Sequence, residues 1–283
     1  MVSHLLSRRR FIALSAGTLA ATTLARAYPL GLPLGMQLYS VRTMLPKDFA
    51  GTLKQVGALG YKEVEAAGFY DHTPDEVKAA MQAAGLSCVS AHYPLGALKA
   101  KLDDTIAYCK SLGLQYVVCS SPMHQQPGAG RTELTLDDWK WNADQFNQIG
   151  AKVKAAGMNF AYHNHTPSFT PIDGTLPWEM LVKNTDPATV NFEMDCGWVI
   201  VAGQNPIPYL KKYGKRIVML HVKDFKGNKP PSVPLGTGDI DYKPIFAAAK
   251  HASIRHIFVE QEETPTTMLD SLAIDAKYMA QFK

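Results

Sequence analysis

The sequence predicts an α/β protein, a single-domain (β/α)8 TIM barrel over residues 34–283. Three observations carry that prediction. From Leu34 onward, short β-rich runs alternate with longer amphipathic stretches, the order that parallel strands with right-handed crossovers produce. Eight strand–helix units in about 250 residues match a closed barrel better than an open doubly wound sheet, and no Gly-rich phosphate loop of either nucleotide-binding kind is present. Finally, four segments of the second half, AYHNH (161–165), NFEMD (191–195), VMLHVKD (218–224) and IFVEQEE (257–263), each end an apolar run in His, Asp or Glu. In a closed parallel barrel such ends meet on one rim, where the chemistry of these folds sits.

Taken in order, strands are expected at 35–41, 63–66, 87–92, 116–120, 159–163, 191–194, 217–222 and 257–260. Amphipathic helices are expected between the first five, at 49–59, 74–84, 99–112 and 136–156. Each of these helices runs into a glycine, Gly60, Gly85, Gly113 and Gly157, which accepts the left-handed conformation that ends a helix without steric cost. Two connections are long, 124–133 after the fourth strand and 225–242 after the seventh. Both fall on the C-terminal rim and would shape a pocket there; the second, with LGTGDIDY (235–242), has the more functional composition.

The chain has 283 residues, 46% hydrophobic and 19% charged, with a net charge of +4. That is ordinary composition for one large core. Part of the positive charge sits at the N-terminus, and no basic stripe interleaved with aromatics is present, so nucleic acid is not an expected partner. Residues 1–27 read as a twin-arginine signal peptide. Ser7-Arg8-Arg9-Arg10-Phe11-Ile12 resembles that consensus, an Ala-rich apolar stretch follows to Leu24, and Ala25-Arg26-Ala27 has the form of a cleavage site. The apolar stretch is short for a span of about 20 residues, which favours cleavage over a membrane anchor. The expectation is export by the twin-arginine machinery to the periplasm or another extracytoplasmic space, with no stable membrane association after cleavage. The cysteines, Cys88, Cys109, Cys119 and Cys196, form no CxxC pair and read as buried thiols, with a disulfide the alternative; they are no zinc site.

His163 and His165 lie two apart, so in an extended segment both face the same side. Asp195 closes a β-rich run, His221 precedes Val222-Lys223-Asp224, and Glu260 ends the last strand. A mixed set of imidazoles and carboxylates suits one divalent ion, Mn, Zn, Co or Fe. A lone strand histidine is ordinarily a satisfied core residue, but such residues at four consecutive strand ends argue for a metal site. His163, Asp195, His221 and Glu260 are the expected ligands.

The chain resembles the xylose isomerase-like TIM-barrel superfamily, the sugar phosphate isomerase/epimerase group with its inosose dehydratase-like members. The resemblance runs from MQLYSVR (36–42) to VEQE (259–262) and is most specific in YHNH, EMDCGWVIVAG (193–203), LHVKD and GTGDIDY. It implies one divalent metal held by Glu, Asp, His and Glu from strands five to eight. Asp195, His221 and Glu260 match three of these, and the strand-five Glu falls at His163. That departure puts a two-carboxylate epimerase mechanism in doubt, and a Tyr-His-x-His segment here is similar to the inosose dehydratases.

The expected chemistry is proton abstraction next to a carbonyl, giving an enediolate. Glu260 or His165 would be the base, and Lys223 would bind substrate oxygens, against the alternative of a rim ion pair with Asp224. Glu65 and His92 would line the pocket, and Trp198 would stack on a sugar face or serve the core. The first expectation is an isomerase or epimerase on a non-phosphorylated keto sugar or derivative. The alternative is a lyase or dehydratase on an inosose or 3-keto glycoside. A non-catalytic sugar-binding protein stands behind both, and self-association into a homo-oligomer is left open.

Overall fold

The computed structural model describes residues 28–126, 133–264 and 266–282. The expected signal peptide, 1–27, lies outside the described residues, as do 127–132 of the first long connection.

Eight parallel strands close on themselves. In chain order they are β1 (Gly35–Gln37), β2 (Glu63–Ala66), β3 (Ser87–Pro94), β4 (Tyr116–Ser121), β5 (Asn159–His163), β6 (Val190–Asp195) and β7 (Ile217–Val222). Two short strands outside the barrel follow, β8 (Asp224–Lys226) and β9 (Lys229–Val233), and β10 (His256–Val259) is the eighth barrel strand. β10 pairs with both β7 and β1, so the chain's first and last strands seal the barrel. The crossover helices are α1 (Phe49–Ala58), α2 (Pro74–Ala84), α3 (Leu95–Leu112), α4 (Leu136–Ala155), α5 (Pro177–Asn184), α6 (Cys196–Val201), α7 (Pro206–Tyr213), α8 (Tyr242–Ala249) and α9 (Met268–Met279). The four glycines that follow α1 to α4 all have positive φ, between 66° and 100°.

Three details depart from the sequence expectation. β1 stops at Gln37 because the Gln37 side chain accepts the Tyr39 N–H and starts a 3-10 turn over Leu38–Val41. α3 begins at Leu95, four residues early, with its backbone bent at Lys101. The 225–242 connection is a built element, since β8 and β9 form an antiparallel hairpin. All four cysteines are free thiols, three of them buried.

The main core lies between the barrel and its helices, with Trp139, Phe146, Phe160, Tyr162, Trp178 and Phe192 all buried. A second apolar cluster, including Val118, Ala161, Met219 and Phe258, fills the lumen. Ala161, Met219 and Phe258 each lie two residues before His163, His221 and Glu260, on the same face of their strands. An apolar plug therefore underlies a polar layer at the C-terminal rim.

Candidate metal centre and active site

Strand register assembles the polar layer. His163 of β5 lies beside Glu193 of β6, Asp195 of β6 beside His221 of β7, and Gln37 of β1 beside Glu65 of β2. Two local devices hold the strand ends. The Asn164 amide donates to the Asp195 carbonyl at 3.2 Å while its oxygen accepts the Asp195 N–H at 3.1 Å. Asp195 then caps α6, its Oδ1 accepting the Trp198 N–H at 2.9 Å. That leaves Asp195 Oδ2 facing inward without a hydrogen bond.

The four expected ligands come together. One donor atom from each of His163, Asp195, His221 and Glu260 lies within 4.8 Å of the others, and all four residues are buried. Glu260 Oε2 is 2.9 Å from His221 Nδ1, and Asp195 Oδ2 is 4.0 Å from the same nitrogen. Lys223 is fully buried, its ammonium 3.3 Å from Asp195 Oδ2, 3.1 Å from Glu260 Oε2 and 2.6 Å from Glu262 Oε1. It also lies 4.7 Å from the centre of the Trp198 ring. Burial works against that charge, but Asp195, then Glu260 and Glu262, outweigh it and hold Lys223 protonated.

Lys223 therefore makes no rim ion pair with Asp224. Asp224 instead accepts N–H groups from Phe225, Gly236, Gly238 and Ile240 at 2.9 to 3.1 Å and ties the GTG turn to the hairpin. A side chain at Gly238 would put Cβ 2.3 Å from Asp224 Oδ1, so only glycine fits. The hairpin reaches the site through Ser232, whose hydroxyl accepts the Glu262 N–H at 3.0 Å.

Beneath this set lies a second one that the strand-end pattern did not announce. His92 Nε2 sits 2.7 Å from Glu65 Oε1 and 2.8 Å from Glu193 Oε2. Glu65 Oε1 also meets His221 Nε2 at 2.8 Å and the Gln37 amide at 2.8 Å. Glu193 Oε2 meets His163 Nδ1 at 2.9 Å. Glu65 and His92, expected at the pocket wall, are thus linked to the ligand layer, with Glu65 wholly buried. Glu193 was missed, although it stands two residues before Asp195, the spacing that put His163 and His165 on one face. Glu262, quoted in the sequence without a role, was missed as the anchor of Lys223.

The electrostatics separate the imidazoles. Burial opposes a charge on His92, but Glu65 and Glu193 raise it to about 9. Burial and Glu65 push Glu193 up, but His221 and His163 hold it at about 2. His163 is held well below the usual imidazole range by burial and then by His221. His165, its ring 4.8 Å from that of His163, is lowered to about 4 by burial and then by Lys223. Neutral imidazoles at His163 and His165 are the forms that ligate a metal or accept a proton.

The residues present fit a divalent ion. Asp195, Glu260 and Glu262 surround one ammonium, with the His221 ring 2.9 Å from Glu260, and Asp195 Oδ2 accepts no hydrogen bond. Two imidazoles and two carboxylates are a donor set that Mn, Zn, Co or Fe accepts. A cavity of about 290 Å³ opens above them, with Tyr39, His92, Ser120, His165 and Glu262 in its wall. No lysine or arginine lines it among the described residues.

A closed β/α barrel with a buried imidazole–carboxylate set beneath a rim cavity defines a rim-site barrel enzyme. Residues 53–278 match the family described as xylose isomerase-like TIM barrel. The chain belongs to that family and is an enzyme of the isomerase, epimerase and dehydratase group. An inosose dehydratase of Clostridium perfringens is 24% identical over 249 residues, 77% of this chain and 83% of that protein. A sugar phosphate isomerase/epimerase from Parabacteroides distasonis superposes with a TM-score of 0.76 at 25% identity, covering 93% of this chain and 97% of its own. The IOLI protein, solved with a bound zinc atom, shares the fold with a TM-score of 0.70 at 17% identity, covering 88% and 97%.

Proposed function

We propose that the enzyme is metal-dependent and takes a proton from the carbon next to the carbonyl of a non-phosphorylated keto sugar or cyclic keto polyol, forming an enediolate. Loss of a neighbouring hydroxyl, the dehydratase or lyase outcome on an inosose or 3-keto glycoside, is favoured over isomerisation or epimerisation. The observation that carries this preference is a neutral base beside the cavity: His165, held near 4 by burial and Lys223, with an imidazole rather than a carboxylate at position 163 beside it.

His163, Asp195, His221 and Glu260 would hold the ion, which supplies Lewis-acid polarisation of the substrate carbonyl. His165 accepts the carbon-bound proton. The same proton then goes to the departing hydroxyl, which leaves as water as the carbon–carbon double bond forms. Lys223, fully buried and held by Asp195, Glu260 and Glu262, does not line the cavity and acts as counter-ion to those carboxylates. Inversion at carbon needs a second acid/base group on the opposite face of the sugar, and Glu260 is already committed to the ligand set. The inosose dehydratase relatives support elimination, whereas the Parabacteroides structure supports the isomerase or epimerase reading. A cavity wall with Glu260 and Glu262 and no lysine or arginine, its His92 already paired with Glu65 and Glu193, suits a neutral polyol better than a phosphate ester. Residues 1–27 support export of the folded protein by the twin-arginine route, which the N-terminal sequence of the mature protein would test.

The deciding experiment incubates metal-loaded protein with inososes, 3-keto glycosides and free keto sugars in D2O, followed by NMR and mass spectrometry. A product lighter by one water, with the carbon-bound proton next to the carbonyl lost, supports the dehydratase. An epimer or isomer of unchanged mass moves the assignment to the alternative. No dehydrated, isomerised or deuterium-exchanged product from any of these substrates would end the enediolate reading.

A further inference from the structure

We propose that Glu65 and Glu193 are positioning residues that fix which ring nitrogen each histidine ligand turns to the metal: Nδ1 of His221 and Nε2 of His163. The inference rests on the metal reading above and assigns a role to the buried layer below it.

The geometry leaves each ring one free edge. His221 is held at both ends, with Nδ1 2.9 Å from Glu260 Oε2, the ligand carboxylate. Its Nε2 lies 2.8 Å from Glu65 Oε1 and 3.3 Å from Glu193 Oε2. A ring whose Nε2–H donates into the lumen presents only Nδ1 to Asp195 and Glu260. His163 has its Nδ1 2.9 Å from Glu193 Oε2, so Nε2 is the nitrogen left for a ligand bond. The two carboxylates are themselves fixed. Glu193 is hydrogen-bonded to His92 Nε2 and Glu65 is ion-paired at 2.7 Å with the same nitrogen, Glu65 also accepts from Gln37, and the His92 and His221 rings lie parallel with centroids 5.5 Å apart. Neither Glu65 nor Glu193 lines the cavity, so neither meets substrate. A carboxylate behind a ligating histidine sets its tautomer and ring angle and makes the ligand nitrogen more basic.

The competing assignment is a second ion in the lower layer, where His92, His163, Glu193 and His221 also lie close enough to share one. In the lower set one oxygen, Glu193 Oε2, lies 2.8, 2.9 and 3.3 Å from a nitrogen of each of the three histidines, whereas in the upper set, beside the His221–Glu260 contact, Asp195 Oδ2 stands 4.0 Å from His221 Nδ1 and accepts no hydrogen bond. That contrast favours one ion above and a hydrogen-bonded frame below.

The test loads the wild-type protein with zinc, measures stoichiometry by elemental mass spectrometry, and reads the histidine tautomers from long-range 1H–15N spectra. One zinc per chain, with Nδ1 of His221 and Nε2 of His163 bonded to it, is the expected result. The opposite nitrogen on either ring, or two zinc ions per chain, overturns the proposal and leaves the metal reading standing. No zinc uptake overturns both. In chelator competition, Glu65→Gln and Glu193→Gln should bind zinc roughly 10- to 100-fold more weakly than wild type; affinity within about twofold would also overturn the positioning role. If either variant does not fold, the wild-type tautomers still decide.

Discussion

Three carboxylates around the Lys223 ammonium make that residue a counter-ion, a task that can be isolated. In Lys223→Met, buried Asp195 and Glu260 lose the ammonium they share and keep only the His221 ring, 4.0 and 2.9 Å away, a change of the kind that destabilises a fold by about 3–5 kcal/mol. A divalent ion supplies the missing charge. The apo variant should therefore unfold well below the wild type, and its rise in Tm on adding Mn2+ or Zn2+ should exceed that of the wild type. Equal rises in calorimetry would mean that Lys223 does not balance those carboxylates. The residue scale also marks where the sequence stops being legible. His163, Asp195, His221 and Glu260 stand at strand ends after apolar runs, so their convergence is written in the local pattern. Glu193 lies inside β6, a position read as part of the strand; its spacing puts it on the face of Asp195, and the lateral pairing with His163 gives it a partner. The contacts of His92 with Glu65 and Glu193 depend on closure of the lumen, which no local pattern encodes.

At the scale of elements, the β8–β9 hairpin was the least legible piece. Pro230 and Pro231 argue against a strand by propensity, yet a two-stranded ribbon outside the barrel tolerates prolines on an edge. Its turn is set by Asp224, and Gly238→Ala should destabilise the protein by roughly 1–3 kcal/mol through overpacking against that carboxylate, read as a lower urea midpoint at unchanged slope. On the other side, Asp275 of α9 accepts the Leu235 N–H at 2.7 Å and so ties the helix to the end of the hairpin. Burial raises its carboxyl to about 7, with the Leu235 N–H opposing and Asp224 adding. A carboxyl raised in the folded state holds its proton where the unfolded chain has lost it. Its contribution to stability is full below about pH 4 and is lost as pH rises through about 7. From pH 5 to pH 8 this loss is on the order of 3 kcal/mol. Asp275→Asn should flatten that slope, and an unchanged slope in denaturation curves at the two pH values would exclude Asp275 as its source.

At the scale of the whole molecule, the eightfold alternation and the glycines after α1 to α4 made the barrel legible, because each unit carries its own local signal. The ends of β1 and α3 were less so, since a side chain capping its neighbour's N–H overrides the strand pattern at Gln37. Ion binding should register on the entire fold. Free ion at a hundredfold over its Kd stabilises by about 2.7 kcal/mol, which in a chain of this size raises Tm by about 5–10 °C. Dialysis against a chelator should lower Tm by that amount, and re-addition of a divalent ion should restore it; a Tm indifferent to both would count against a metal centre.

The seal between β1 and β10 has a consequence for the order of events during synthesis. His163, Asp195 and His221 leave the ribosome well before Glu260, and the strand that positions Glu260 must then find β1, made at the outset. A nascent chain can offer an ion at most three of its four ligands until the ring shuts. The four-residue set is thus complete only when β10 has paired with β1, and any ion that binds there at full strength would report a closed ring.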